Sequence, residues 1–223
     1  MTDNTTDRGK SMSSKNEAFE ETYQHYLSRI REFSLESLSG RLGAAYKDKH
    51  LEIPLLNRNY LVSHDEIVDA SGNRPYLDIC VILSRYILMC PSTAPADSGW
   101  ANFRDLKDTA PLVGYFAKDV EQAIGRFFSR NADDLKQAGA SLGGYPPDLD
   151  VRYDISLCFD ALPKVPMLLL FNDEDGDFPA KTLVLFDRSA DRYLDAECIA
   201  MLGGQLFYHL RNCSVRSKKE NSS

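Results

Sequence analysis

Apolar residues recur along this chain at two spacings, and each spacing predicts a different kind of element. Phe19, Tyr23, Tyr26, Leu27 and Ile30 return every three or four residues with charges between them, which predicts an amphipathic helix over about 17–33. Ser34 is placed to cap a short second helix ending near Gly40. From Leu51 the spacing shortens to two. Leu51, Ile53 and Leu55 alternate with polar partners, Asn57-Arg58-Asn59 reads as a turn, Tyr60 to Val62 resume a strand, and Ile67-Val68 suggest a third. Pro75 suits the first turn of a helix, and residues 76–90 are apolar almost all round. Their two charges, Asp78 and Arg85, are seven apart and share one stripe, as in a helix buried at the centre of a fold.

Residues 91–108 read as a loop. Leu112, Phe116, Val120, Ile124 and Phe127 mark a further amphipathic helix, and Asn131 opens another that Gly143-Gly144 stops. In the last third, Val151, Tyr153, Ile155, Leu157 and Phe159 alternate with polar or small residues, as a half-buried strand does. Val165 to Phe171 is a continuous apolar run with Pro166 near its start, and Leu183 to Phe186 is another strand. A final helix from about Ala196 to Leu210, capped by Asp195, buries Ile199, Leu202, Leu206 and Leu210. Gly203-Gly204 inside it costs about 1 kcal/mol per glycine relative to alanine, which predicts close approach of another backbone. The pattern as a whole predicts an α+β fold, a mainly antiparallel sheet packed against several helices around one central buried helix. Polar stretches 1–16 and 214–223 predict disordered tails on a single α+β domain over 17–213.

Composition narrows the function classes. The 223 residues are 43% hydrophobic and 26% charged, with a net charge of −7. That balance argues against nucleic acid or an anionic membrane as a partner, since both demand a cationic face. The five cysteines, Cys80, Cys90, Cys158, Cys198 and Cys213, form no C-x-x-C pair and sit mostly in apolar runs, so they read as buried thiols in a reducing compartment. Residues 1–16 lack the apolar core of a signal peptide, and the run Ile79 to Cys90 is too short to span a bilayer. The expectation is a soluble, cytoplasmic protein.

Two polar constellations are candidate sites. Asp173, Asp175 and Asp177, with Glu174 and Gly176 between them, offer oxygen ligands to a metal such as calcium or magnesium. The same residues also suit a solvated hairpin loop between two strands. Trp100, Phe103 and Arg104 could form a ligand-binding surface for an anion, or anchor a long loop on the core. His25, His50, His64 and His209 are scattered without metal-ligand spacing, and no nucleophile elbow, phosphate loop or dinucleotide fingerprint is present.

The run Ala161 to Pro166, then Leu168 to Phe171, Asp177-Phe178-Pro179, Leu185-Phe186-Asp187 and Tyr193-Leu194 resembles an uncharacterised prokaryotic family, domain of unknown function 3786. The resemblance covers about 20–211 and implies the setting of anaerobic bacteria and archaea. Some relatives carry an added cysteine-rich domain like that of corrinoid iron–sulfur proteins. It implies no activity, and the cofactor stays unknown. These signals favour a non-catalytic accessory or ligand-binding protein of anaerobic, corrinoid- or iron–sulfur-linked metabolism, with a protein partner or small-molecule ligand and neither nucleic acid nor membrane. The alternatives are a metal-dependent enzyme using Asp173 to Asp177, and a structural protein–protein interaction module.

Overall fold

A computed structural model describes residues 6–96, 98–149 and 152–220. Two antiparallel four-stranded sheets and their helices enclose one continuous apolar core, so the fold is α+β. Helix α1 (Thr6–Ile30) leads into α2 (Leu35–Leu42). The Ser34 hydroxyl accepts the Ser37 N–H at 3.4 Å. Termination falls at Gly43 rather than Gly40, because Gly43 takes the left-handed conformation (φ 65°) that ends a helix. Residues 6–16 and 214–220 continue α1 and the last helix. Adding a residue to an existing helix is far easier than nucleating one. Residues 1–5 and 221–223 lie outside the described residues.

The meander is sheet A, β1 (Ala45–Lys47), β2 (His50–Leu55), β3 (Arg58–Val62) and β4 (Ile67–Asp69), in that order. Strand β1 adds a member that the alternation did not mark. The β2–β3 turn is Leu56-Asn57, one residue earlier than the polar cluster suggests, since Leu55 pairs with Arg58. Both turn residues have positive φ, 47° and 60°, as the two-residue hairpin with primed geometry requires. An apolar residue takes the first turn position because that position is buried: the Leu56 N–H donates to the Ala161 carbonyl at 3.1 Å.

Helix α3 (Leu77–Leu88) is the central helix, burying Ile79, Cys80, Ile82, Leu83, Tyr86 and Ile87. Its polar stripe is fully used. Arg85 pairs with Asp195, and Asp78 accepts from the Gln205 amide. At neutral pH, a protonated Arg85 matched to an ionised Asp195 is what permits a charged pair at this half-buried seam.

The stretch after α3 ends in a short edge strand, β5 (Trp100–Asn102), where a loop was expected. Next come α4 (Val113–Tyr115), a π-helical turn (Phe116–Glu121), α5 (Gln122–Phe128) and α6 (Ala132–Ser141). Phe116, Val120, Ile124 and Phe128 are all buried, each four residues from the last. In a pure α-helix such a stripe drifts by about 40° per step; the wider π turn takes up that drift. Sheet B has the order β5-β8-β7-β6, with β6 (Ile155–Leu162), β7 (Val165–Asn172) and β8 (Lys181–Asp187). Strand β6 begins at Ile155, later than Tyr153 in the expected alternation; Val151, where that alternation starts, lies outside the described residues. Before it, the ladder gives way to side-chain bonds: Asp154 N–H donates to Asn172, and Asp173 N–H to the Asp154 carboxylate at 2.8 Å. Pro166 lies outside the β8 pairing, which starts at Met167. Helices α7 (Ala190–Tyr193) and α8 (Ala196–Glu220) close the chain.

Candidate functional site

Helix α8 carries two stripes. The apolar one, Ile199, Leu202, Leu206 and Leu210, is completely buried in the core. Beside it runs a polar one, Gln205, His209, Asn212 and Arg216, spaced four, three and four residues apart, so all four lie on one side of the helix. The docked β2–β3 hairpin faces this stripe and fixes where Arg58 begins β3. Between them opens a cleft of about 900 Å³, lined by Arg58, Tyr60, Tyr76, Tyr208, His209 and Arg216 among others. Such a volume suits a small organic ligand.

His209 forms part of the floor. It is 5% exposed, and neither ring nitrogen has a hydrogen-bond partner among the described residues. Buried polar groups are nearly always satisfied, and leaving one unpaired costs about 1–3 kcal/mol. Burial, then the charges of Arg58 and Arg216, hold the His209 ring down to about 4. It is therefore neutral at pH 7, one nitrogen donating and the other accepting. Arg58, His209 and Arg216 line the same cleft.

The arginines of the cleft are not equivalent. Arg74 is committed: it bonds Glu20 at 2.6 Å and lies 4.1 Å over the Tyr23 ring. Asp69 is also committed, its carboxylate accepting the Ser71 and Asn73 N–H groups at 2.8 and 3.0 Å. Arg58 and Arg216 are exposed, and neither has a carboxylate partner among the described residues. An acidic protein thus presents a cleft whose uncommitted charge is positive. Tyr76 is 72% exposed and Tyr208 43%, which gives the cleft aromatic walls. The Tyr208 ring meets His209 edge to face, centroids 5.2 Å apart.

The residues expected to form sites lie elsewhere, and the fold separates them. Phe103 is buried and stacks on Phe116, centroids 4.3 Å apart. Trp100 packs in the smaller cluster with Cys158, Leu168 and Leu170, and Arg104 is exposed beside Asp105 at 3.8 Å. Phe103 and Trp100 thus belong to different apolar clusters, and the segment anchors β5 to the sheet. The acidic loop is a hairpin between β7 and β8, closed by the Asp175–Phe178 bridge. Asp173 accepts the Arg130 backbone N–H at 2.7 Å, which helps hold Arg130 at its left-handed φ of 61°. Glu174 is taken by Ser129 and Arg130, whose hydrogen bonds hold its carboxyl below the usual range. The proposed metal set Asp173, Asp175 and Asp177 does not converge: among the described residues no three His, Cys, Asp or Glu side chains are grouped to hold a metal ion. The thiols are free, and burial pushes that of Cys80 up to about 12, far from a reactive state.

The cleft escaped the sequence reading because its parts are far apart in the chain and each looked ordinary alone. Arg58 sat in a supposed turn, and His209 was one of four isolated histidines. One signal was there: a polar stripe on a helix whose neighbouring stripe is core.

Among the described residues no helix is long and apolar enough to cross a membrane. The family described as Domain of unknown function (DUF3786) matches residues 34–209, most of the chain. No curated protein and no solved structure matches.

Proposed function

For this chain, which belongs to the DUF3786 family, we propose a binding role: the cleft between the β2–β3 hairpin and α8 takes a small organic anion, with Arg58 and Arg216 gripping its charge and His209 hydrogen-bonding it from the floor. The observation that carries this reading is the buried His209 ring, unpartnered at both nitrogens and set below two arginines without carboxylate partners. A bound oxyanion would accept from the ring N–H and from both guanidinium forks, and such charge-assisted bonds are the stronger kind. The fork geometry suits phosphate or carboxylate. Recognition is favoured over proton transfer, since a ring held near 4 is a weak base at neutral pH.

Calorimetric titration with 1-naphthyl phosphate at low salt tests the reading. Arg58→Ala and Arg216→Ala should each weaken binding about tenfold or more, as loss of a charged hydrogen bond does. Both side chains are exposed, so the variants should fold as the parent does. Binding should also weaken as ionic strength rises. Equal affinity in the parent and the double variant would remove the proposal.

A further inference from the structure

The cleft does not end at Tyr76 and Tyr208. Those two rings also line a second concavity of about 590 Å³, which runs along α8 past Gly204 to Tyr115 and Met201. We infer that the ligand is a two-part molecule, an oxyanion head held at Arg58, Arg216 and His209 and a flat, aromatic body laid in this groove over Gly204. The inference rests on the anion-binding reading above and adds the class of molecule.

Three observations carry it. The first is the contrast between the paired glycines. Gly203 is explained by packing: a Cβ there would stand 2.5 Å from the Phe116 ring. Among the described residues, a Cβ at Gly204 would meet only the Tyr115 hydroxyl, at 3.8 Å. No neighbour requires that glycine, although it weakens the helix. It leaves the groove floor open. The second is the wall: Tyr76, Tyr115 and Tyr208 all line the groove and are all exposed, so their rings are open to packing against a flat group. The third is Gln205, only 8% exposed, which lines the groove. Its amide N–H donates to Asp78, while its Oε1 has no partner among the described residues. A buried acceptor of that kind calls for a donor, an N–H or O–H on the edge of the ligand body.

The test compares inorganic phosphate, 1-naphthyl phosphate and 2-naphthoate on the parent, Gly204→Leu, Gly204→Ala and Tyr115→Ala. The parent should bind naphthyl phosphate at least about tenfold more tightly than inorganic phosphate, through burial of the rings. Gly204→Leu, which fills the groove while favouring the helix, should abolish that advantage and leave inorganic phosphate unchanged. Tyr115→Ala should lower only the aromatic ligands' affinity, and Gly204→Ala should change little. The naphthoate arm shows whether a carboxylate serves as the head; whichever head binds better, its aromatic advantage must vanish in Gly204→Leu. If the parent binds phosphate with the arginine dependence given above but Gly204→Leu keeps full affinity for naphthyl phosphate, the two-part ligand is wrong and the anion site stands. If no anion binds, both fall.

Discussion

Gly203 shows how much one absent side chain decides. The Phe116 ring occupies the space a Cβ would need, and that ring stacks on Phe103 and tilts against Phe186. The glycine pair in α8 was expected to admit another backbone; at Gly203 it admits an aromatic ring from the π-helical turn. Gly203→Ala gains about 1 kcal/mol of helix propensity and forces a completely packed aromatic cluster to move, at a typical cost of about 1–3 kcal/mol. The expected result is net destabilisation, read as a lower urea midpoint without a change in slope. A midpoint equal to or above the parent's would mean that Phe116 repacks freely. Tyr86 is a second residue whose role the pattern hid. It reads as one more apolar position of the central helix, yet its hydroxyl donates to the Leu42 carbonyl at 2.7 Å and accepts the Lys164 N–H at 3.1 Å. It ties α2 and the β6–β7 turn to the core.

The central helix and α8 meet through polar groups at the ends of an apolar seam. Asp195 serves twice there, capping α8 through the Cys198 N–H at 2.9 Å and pairing with Arg85. Burial works to raise its carboxyl, but the Cys198 bonds and Arg85 outweigh that and hold it below the usual range. Asp195→Ala should therefore cost more than the roughly 1 kcal/mol of a lost cap, because it also strands a half-buried guanidinium. The double change Asp195→Ala with Arg85→Met separates the two parts: it should recover some of the stability lost in the single variant, measured in the same denaturant titration. No recovery would assign the whole effect to the cap. This element pair was largely legible in the sequence. The cap and the Asp78–Arg85 stripe follow from spacing, because helix periodicity places residues on faces without any tertiary information. The Leu56-Asn57 turn did not follow. Turn chemistry normally announces itself by polar residues and glycine, and here the first turn residue is Leu56, buried and bonded to Ala161 of β6.

For the molecule as a whole, local pattern was enough for the architecture and insufficient for the site. The meander, the central helix and the strand-rich last third each follow from short-range periodicity, and the two sheets share one core. The cleft instead joins residue 58 to residues 209–216, and its central feature, a histidine that finds no partner, exists only once the chain is folded. Trp100, Arg104 and the acidic loop stood out in the sequence because they are polar or aromatic in unusual concentration. In the structure, Asp173 and Glu174 bind the α5–α6 connection and Phe103 packs into the core. The net charge of −7 says nothing of a local cationic cleft; total charge governs long-range behaviour, while recognition follows its distribution. If His209 sits in an anion site, its ring reports the bound anion directly. Titration of the His209 imidazole by NMR, with and without saturating inorganic sulfate, should give a midpoint of about 4 in the free protein. With sulfate bound, the midpoint should move upward toward the ordinary value of about 6.5, because a neighbouring anion favours the charged ring. A midpoint near 4 that sulfate does not move, or one already near 6.5 without it, would mean that His209 is not part of an anion site.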